Sequence, residues 1–369
     1  MGELLRQYGP PALAWVVLLA RRPGDDHARR YVRHILLGLA ISLTVLTPAG
    51  HAAVNGLAGT HDLPRLIGHA GMLLTAWAGL GLLLHVNGMR RRWHTWWLAG
   101  AFCVMCVFFA LTPNIEPASP WVFEYVLAYV LAQLPVYAAI MWLGLRYARL
   151  ADTTALRVAL RMVVAGTAIA AVYLVNKAVL SASYRVGFAD PFGHTSFAGK
   201  VLPTTAYLLV LIGAPLPAAV AWLGRYRRFL RLGPLWRALY RADPAIALDP
   251  PSVPDFLVLG RLRLRLYRRV IEIRDGLLAL RPYRDPAVAA TARDRATRAG
   301  LTGPEHDAAV EAAVVAAALR ARAEGRTPRG DGETAVTGGA DLAGETEFLG
   351  RVARAYRTLP RETRAAQRV

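Results

Sequence analysis

Residues 201–228 read VLPTTAYLLVLIGAPLPAAVAWLGRYRR, and this stretch decides the class of the chain. Its apolar part, 201–224, is long enough to cross the hydrocarbon core of a bilayer, for which a helix needs about 20 residues. It ends at Arg225, Arg227 and Arg228, charges that are costly to draw into hydrocarbon. Residues 1–224 therefore read as a membrane-embedded helical bundle and residues 225–369 as a basic, mainly helical, water-facing domain. Gly213, Pro215 and Pro217 interrupt the run. They free backbone groups, which a spanning segment tolerates only where protein or a water-lined cavity satisfies them.

Composition agrees with a membrane protein. The 369 residues are 55% hydrophobic, with mean hydropathy +0.31 and a formal charge of +19, too apolar for one ordinary soluble domain. Of the 44 Lys and Arg, 17 precede Arg225 against 8 acidic residues; the other 27 face 17 acidic residues in the remainder. With both halves basic, the excess fits the cytoplasmic bias of membrane proteins and affinity for anionic lipid headgroups better than nucleic-acid binding. Arg225, Arg227, Arg228 and Arg231 are the residues expected at that lipid surface. Only Lys177 and Lys200 are lysines. The two cysteines, Cys103 and Cys106, share one apolar run and read as packing residues rather than a disulfide or redox pair.

Working toward the N-terminus, apolar runs occur at 158–183, 121–145, 96–112, 67–86 and 34–49, with a short one at 11–20. Arg21 and Arg22 stand where a signal-peptide cleavage site would need small residues, so 11–20 reads as a marginal first span. The fold class is all-α: a bundle of seven transmembrane helices, or six without the first, followed by a helical cytoplasmic domain. Loop charge sets the orientation. Alternate loops hold Arg21, Arg22, Arg29, Arg30, Arg33, Arg90, Arg91, Arg92, Arg146, Arg149, Arg157 and Arg161, whereas the others hold only Arg65, Arg185 and Lys200. The positive-inside rule then places the Arg-rich loops and the C-terminus in the cytoplasm.

Beyond Arg228 the pattern is soluble. Leu262, Leu266, Val270, Ile273 and Leu277 form a helical stripe, although 261–266 also alternates with the period of a strand. Thr302 and Glu305 resemble a capping box opening an alanine-rich helix to about Arg322, with Val310, Val314 and Ala317 on one face. Residues 327–344 read as a flexible linker, and 345–358 as a last helix burying Phe348, Val352 and Tyr356. The segments Leu235-Trp236-Arg237, Asp249-Pro250-Pro251, 265–275 (RLYRRVIEIRD) and 280–283 (LRPY) resemble multispan membrane proteins of actinobacteria assigned as transporters. Those proteins share a cytoplasmic C-terminal domain of unknown function. The resemblance implies a transporter and carries over no catalytic residue.

Ionisable residues within spans point to function. His69, Glu124 and Lys177 lie at one depth in the proposed topology, with Asn176 and Tyr173 beside Lys177 and with Tyr129 and Gln133 following Glu124 along the same helix. These seven are the candidate ligand-binding residues, expected to converge on an outward-opening cavity in which Glu124 pairs with Lys177. Lipid-facing snorkelling of Lys177 and a helix-to-helix hydrogen bond from His69 are the bland alternative. His51, His61, Asp62 and His194 are weak candidates for a metal ion, with Asp190 and Glu116 nearby, but no HExxH pair accompanies them. No catalytic residue and no other cofactor is indicated. Three functions follow in order: a transporter of a small solute; a seven-span sensor with a cytoplasmic protein partner; and a metal-dependent membrane hydrolase.

Overall fold

A computed structural model describes residues 2–20, 26–58, 62–89, 93–112, 115, 119–187, 197–249, 254–327 and 341–360, which hold thirteen α-helices and no strand. The chain divides into two compact units, Met1–Ala218 and Ala219–Val369.

The first unit contains α1 (Gly2–Ala20), α2 (His27–Val45), α3 (Pro48–Ala58), α4 (Leu63–Val86), α5 (Trp93–Leu111), α6 (Val122–Leu150), α7 (Thr154–Val186) and α8 (Phe197–Gly213). Among the described residues, α4, α5, α6 and α7 are each long and apolar enough to cross a membrane. The count reaches six if two broken helix pairs each make one span. Helix α1 carries Pro10 and Pro11 and is not among them.

The run at 34–49 is not one helix. Helix α2 ends at Val45, and α3 leaves it at 84°. Pro48 has no N–H and disfavours helical geometry at Thr47. Thr47 Oγ1 instead accepts from Gly50 N at 3.1 Å, starting a new helix with proline in its first turn.

Small residues bring the helices together. A Cβ on Gly71 would lie 2.7 Å from the Gly38 carbonyl oxygen, and one on Gly38 would lie 2.6 Å from Thr75 Oγ1, so α2 and α4 touch backbone to backbone. Helices α6 and α7 are joined through 151–153. Thr153 caps α7 by accepting from Leu156 N at 3.3 Å, and Gly187 ends it at φ 75°. Gly166 of α7 meets the Ala206 carbonyl of α8. Leu211 of α8 is buried in one cluster with Ile35 and Leu39 of α2. Helices α2, α4, α6, α7 and α8 thus form a ring.

Helix α9 (Leu216–Ala242) carries the chain across the division between units. The run at 201–224 is broken at Ala214 and Pro215, and α9 continues through 225–228 instead of stopping at the charges. Arg227, Arg228 and Arg231 are at least partly exposed, as is Arg225. The second unit adds α10 (Leu262–Ala279), α11 (Pro286–Arg298), α12 (Gly303–Ala323) and α13 (Leu342–Thr358). Residues 262–266 are helical, and the stripe from Leu262 to Leu277 is buried. Thr302 does stand at the N-cap of α12, but its side chain makes no capping bond there. The buried face of α12 runs through Ala308, Ala312, Val315 and Leu319, not Val310 and Ala317; Val314 is also buried. On α13, Leu349, Val352, Ala353 and Tyr356 are buried and Phe348 is partly so. Most of the expected linker at 327–344 lies outside the described residues.

Arginine–carboxylate pairs tie the second unit's elements together. Arg284 bonds both oxygens of Glu311, Arg274 both of Glu345, and Arg322 pairs with Asp243 at 3.0 Å. Arg269 lies with its guanidinium carbon 3.8 Å from the Phe229 ring centre and 4.6 Å from that of Trp236, while Nη2 meets Asp255 Oδ1 at 2.8 Å. Trp236 Nε1 donates to Glu272 at 2.6 Å, and Tyr226 Oη donates to the Phe256 carbonyl at 2.7 Å.

Candidate functional site

The polar centre of the first unit is assembled from three helices. His69 stands in the second turn of α4 and is 8% exposed. Its Nδ1 lies 2.7 Å from Tyr125 Oη on α6, and its Nε2 lies 3.0 Å from Lys177 Nζ on α7. The Tyr129 ring packs on the imidazole with centres 4.2 Å apart, and Lys177 Nζ sits 5.6 Å from the Tyr129 ring centre. An ammonium group offers only donors, so with Lys177 charged His69 Nε2 accepts. The ring hydrogen is then on Nδ1 and is donated to Tyr125 Oη. This assignment makes the imidazole neutral and leaves the ammonium two further N–H groups, with the Tyr129 face on one side.

Of the seven expected ligand-binding residues, His69, Tyr129, Tyr173 and Lys177 line one cavity, of about 520 Å³. Glu124, Gln133 and Asn176 are not in its lining. The expected Glu124–Lys177 pair does not form. Glu124 occupies the first turn of α6 and Arg185 the last turn of α7, and their side chains meet at 3.8 Å. Lys177 stands two turns further in, where His69 is its neighbour. It has no carboxylate partner among the described residues. Gln133 is fully buried on α6.

The rest of the cavity is mainly apolar and runs along the helix ring, although Ser42, Tyr137 and Tyr207 also line it and Asn87, Tyr147 and Asp152 stand at the end away from Lys177. On α7 its lining extends from Lys177 to Leu156, about 31 Å at 1.5 Å per residue, and on α4 from His69 to Val86, about 25 Å. Thr75 and Thr167 line it, but their hydroxyls donate to the carbonyls of Gly71 and Val163, one turn back on their own helices. The shaft residues carry no spacing signal that marks them as site residues. Tyr125 belongs, with Tyr129, Gln133 and Tyr137, to a series that repeats every four residues along one face of α6, a stripe that could line a polar cavity or make interhelical hydrogen bonds, whereas the shaft arises only when five helices pack.

Two of the metal candidates, His61 and His194, lie outside the described residues, as do Glu116 and Asp190. His51 Nδ1 lies 3.1 Å from Asn55 Nδ2, one turn along α3. Asp62 accepts from Ile115 N at 2.6 Å and pairs with Arg65, which donates to the Ile115 carbonyl. Asp62 is thus engaged in holding the backbone at 115. Among the described residues no three His, Cys, Asp or Glu side chains are grouped to hold a metal ion.

A family profile described as a family of unknown function (DUF6545) matches residues 221–358, the greater part of the second unit. No curated protein and no solved structure matches the chain.

Proposed function

We propose that the protein is a membrane transporter whose first unit carries a small organic anion. The observation that supports this is the Lys177 ammonium, which faces an apolar cavity inside a bundle of membrane-crossing length with no carboxylate beside it among the described residues. A charge in that position is costly unless a counter-charge arrives, and a solute anion supplies one. Helix interruptions at Pro48 and Pro215 are of the kind that transporters place around substrate sites. The resemblance to actinobacterial transporters points the same way. In this reading the Arg-rich loops and the second unit face the cytoplasm, with Arg225, Arg227, Arg228 and Arg231 against anionic lipid headgroups. Each contributes roughly 1 kcal/mol near such a surface.

The test is uptake of radiolabelled butanesulfonate, an anion that does not cross bilayers unaided, into proteoliposomes. Wild-type protein should give flux above empty vesicles, and Lys177→Met should remove it. No protein-dependent flux, or flux indifferent to Lys177→Met, overturns the reading. A sensor is the second reading, favoured by the apolar stripe of Leu264, Tyr267, Ile271 and Leu278 left exposed on α10. It predicts Lys177-dependent binding without flux, together with a protein partner held by that stripe.

A further inference from the structure

We infer that the ligand is an amphiphile, with one anionic head at Lys177 and a hydrocarbon tail lying along the shaft toward Leu156. This rests on the anion reading and specifies the other end of the molecule. A small hydrophilic anion would need cations or free donors along its route, yet past Lys177 the lining is mainly carbon, and Tyr207 and Asn87 donate to Thr204 and to the Leu83 carbonyl. The hydroxyls of Thr75 and Thr167 are directed to their own helix backbones, and the intervening positions include Met72, Ala76, Gly79, Val163 and Ala170. The cavity's cation stands at the end where His69, Tyr129, Tyr173 and Lys177 gather, and the polar groups of the opposite end, Asn87, Tyr147 and Asp152, include no cation to hold an anion. A site with a cation at one end, a long mainly carbon-lined shaft, and Asp152 only at the opposite mouth matches a ligand with an anionic head and a hydrocarbon tail. The shaft's length of about 25–31 Å compares with a hydrocarbon core of about 30 Å, so a tail running from the head across one leaflet fits within it. Lysine presents a point charge rather than a planar fork, so the head need only be anionic: carboxylate, sulfonate or phosphate.

Gly79 provides the control. It lines the shaft on α4, and a Cβ there would meet only Ile140 Cδ1, at an ordinary 3.6 Å. A larger side chain at this position enters the shaft while leaving the polar end intact. Binding of alkanesulfonates with four, eight, twelve and sixteen carbons should be measured on the full chain in nanodiscs, against empty nanodiscs. In wild type, affinity should rise by up to about fourfold per added methylene until the tail fills the shaft. Gly79 lies ten residues along α4 from His69, about 15 Å, so Gly79→Phe should remove the gain between eight and sixteen carbons, and Gly79→Ala should retain the slope. A wild-type series independent of length, with Lys177→Met still removing butanesulfonate binding, overturns the tail and leaves the anion site standing. Sixteen-carbon binding in Gly79→Phe as tight as in wild type also overturns it. If Lys177→Met changes no member of the series, the anion reading fails as well.

Discussion

Replacing Asp255, the first residue of a single 3-10 turn at Asp255–Leu257, with asparagine keeps the shape of the side chain and removes only its charge. Arg269 would then remain under Phe229 and Trp236, with side-chain exposure of 8%, and without the carboxylate now 2.8 Å from Nη2. Stranding one member of a buried pair costs about 3–5 kcal/mol. Asp255 is itself 17% exposed, so water relieves part of this and the lower end, about 3 kcal/mol, applies. That amounts to about a 150-fold increase in the open fraction. Hydrogen exchange of the α9 amides between Phe229 and Leu239 in the full-length protein reads it directly, since these surround buried Leu232 and Leu235. The double variant Asp255→Asn/Arg269→Met should recover most of the loss, because the thioether can lie between the same two rings. Exchange in Asp255→Asn within threefold of wild type would refute the assignment of this pair as a buried strut.

Gly71→Val should destabilise the first unit by about 1–3 kcal/mol, because the new Cβ would lie 2.7 Å from the Gly38 carbonyl and 3.1 Å from Ser42 N, backbone that cannot step aside. A lowered melting midpoint in detergent checks this, with Gly100→Ala as the silent control since nothing lies within 4 Å of its Cβ. Glu124→Gln should cost less than about 1 kcal/mol, its Arg185 partner being 62% exposed and 3.8 Å away. Its effect should add to that of Lys177→Met; strong coupling between the two would contradict the separation of the pairs.

Apolar length and arginine placement in the sequence identified most of the bundle helices and the stripe on α10, because those signals depend on one segment at a time. The break at Thr47–Pro48 was also written in the chain, as a hydroxyl cap followed by proline, but hydropathy alone carries the run through to Ala49. Lys177 stood out as an amine in an apolar run. Its partner did not, since hydropathy puts Glu124 and His69 at one depth, whereas in the fold Glu124 meets Arg185 and His69 meets Lys177, two turns further along α7. The face of α12 slipped because alanine is so frequent there that several phases of the helix look equally apolar. The shaft had no local signature: Gly79, Thr75 and Val163 become a lining only when α2, α4, α6, α7 and α8 enclose a volume.

Lysine is nearly absent from this protein, and that scarcity gives Lys177 an experimental use. The sequence contains only one other, Lys200, and every remaining side-chain cation apart from histidine is a guanidinium, which amine-selective reagents leave alone. An acylating label small enough to enter the cavity, followed by peptide mass mapping, therefore reads occupancy at a single primary amine against a background of Lys200 and the amino terminus. Protection of that amine by a candidate solute would identify ligands one compound at a time, with no reconstitution, no transport assay and no assumption about the direction of flow.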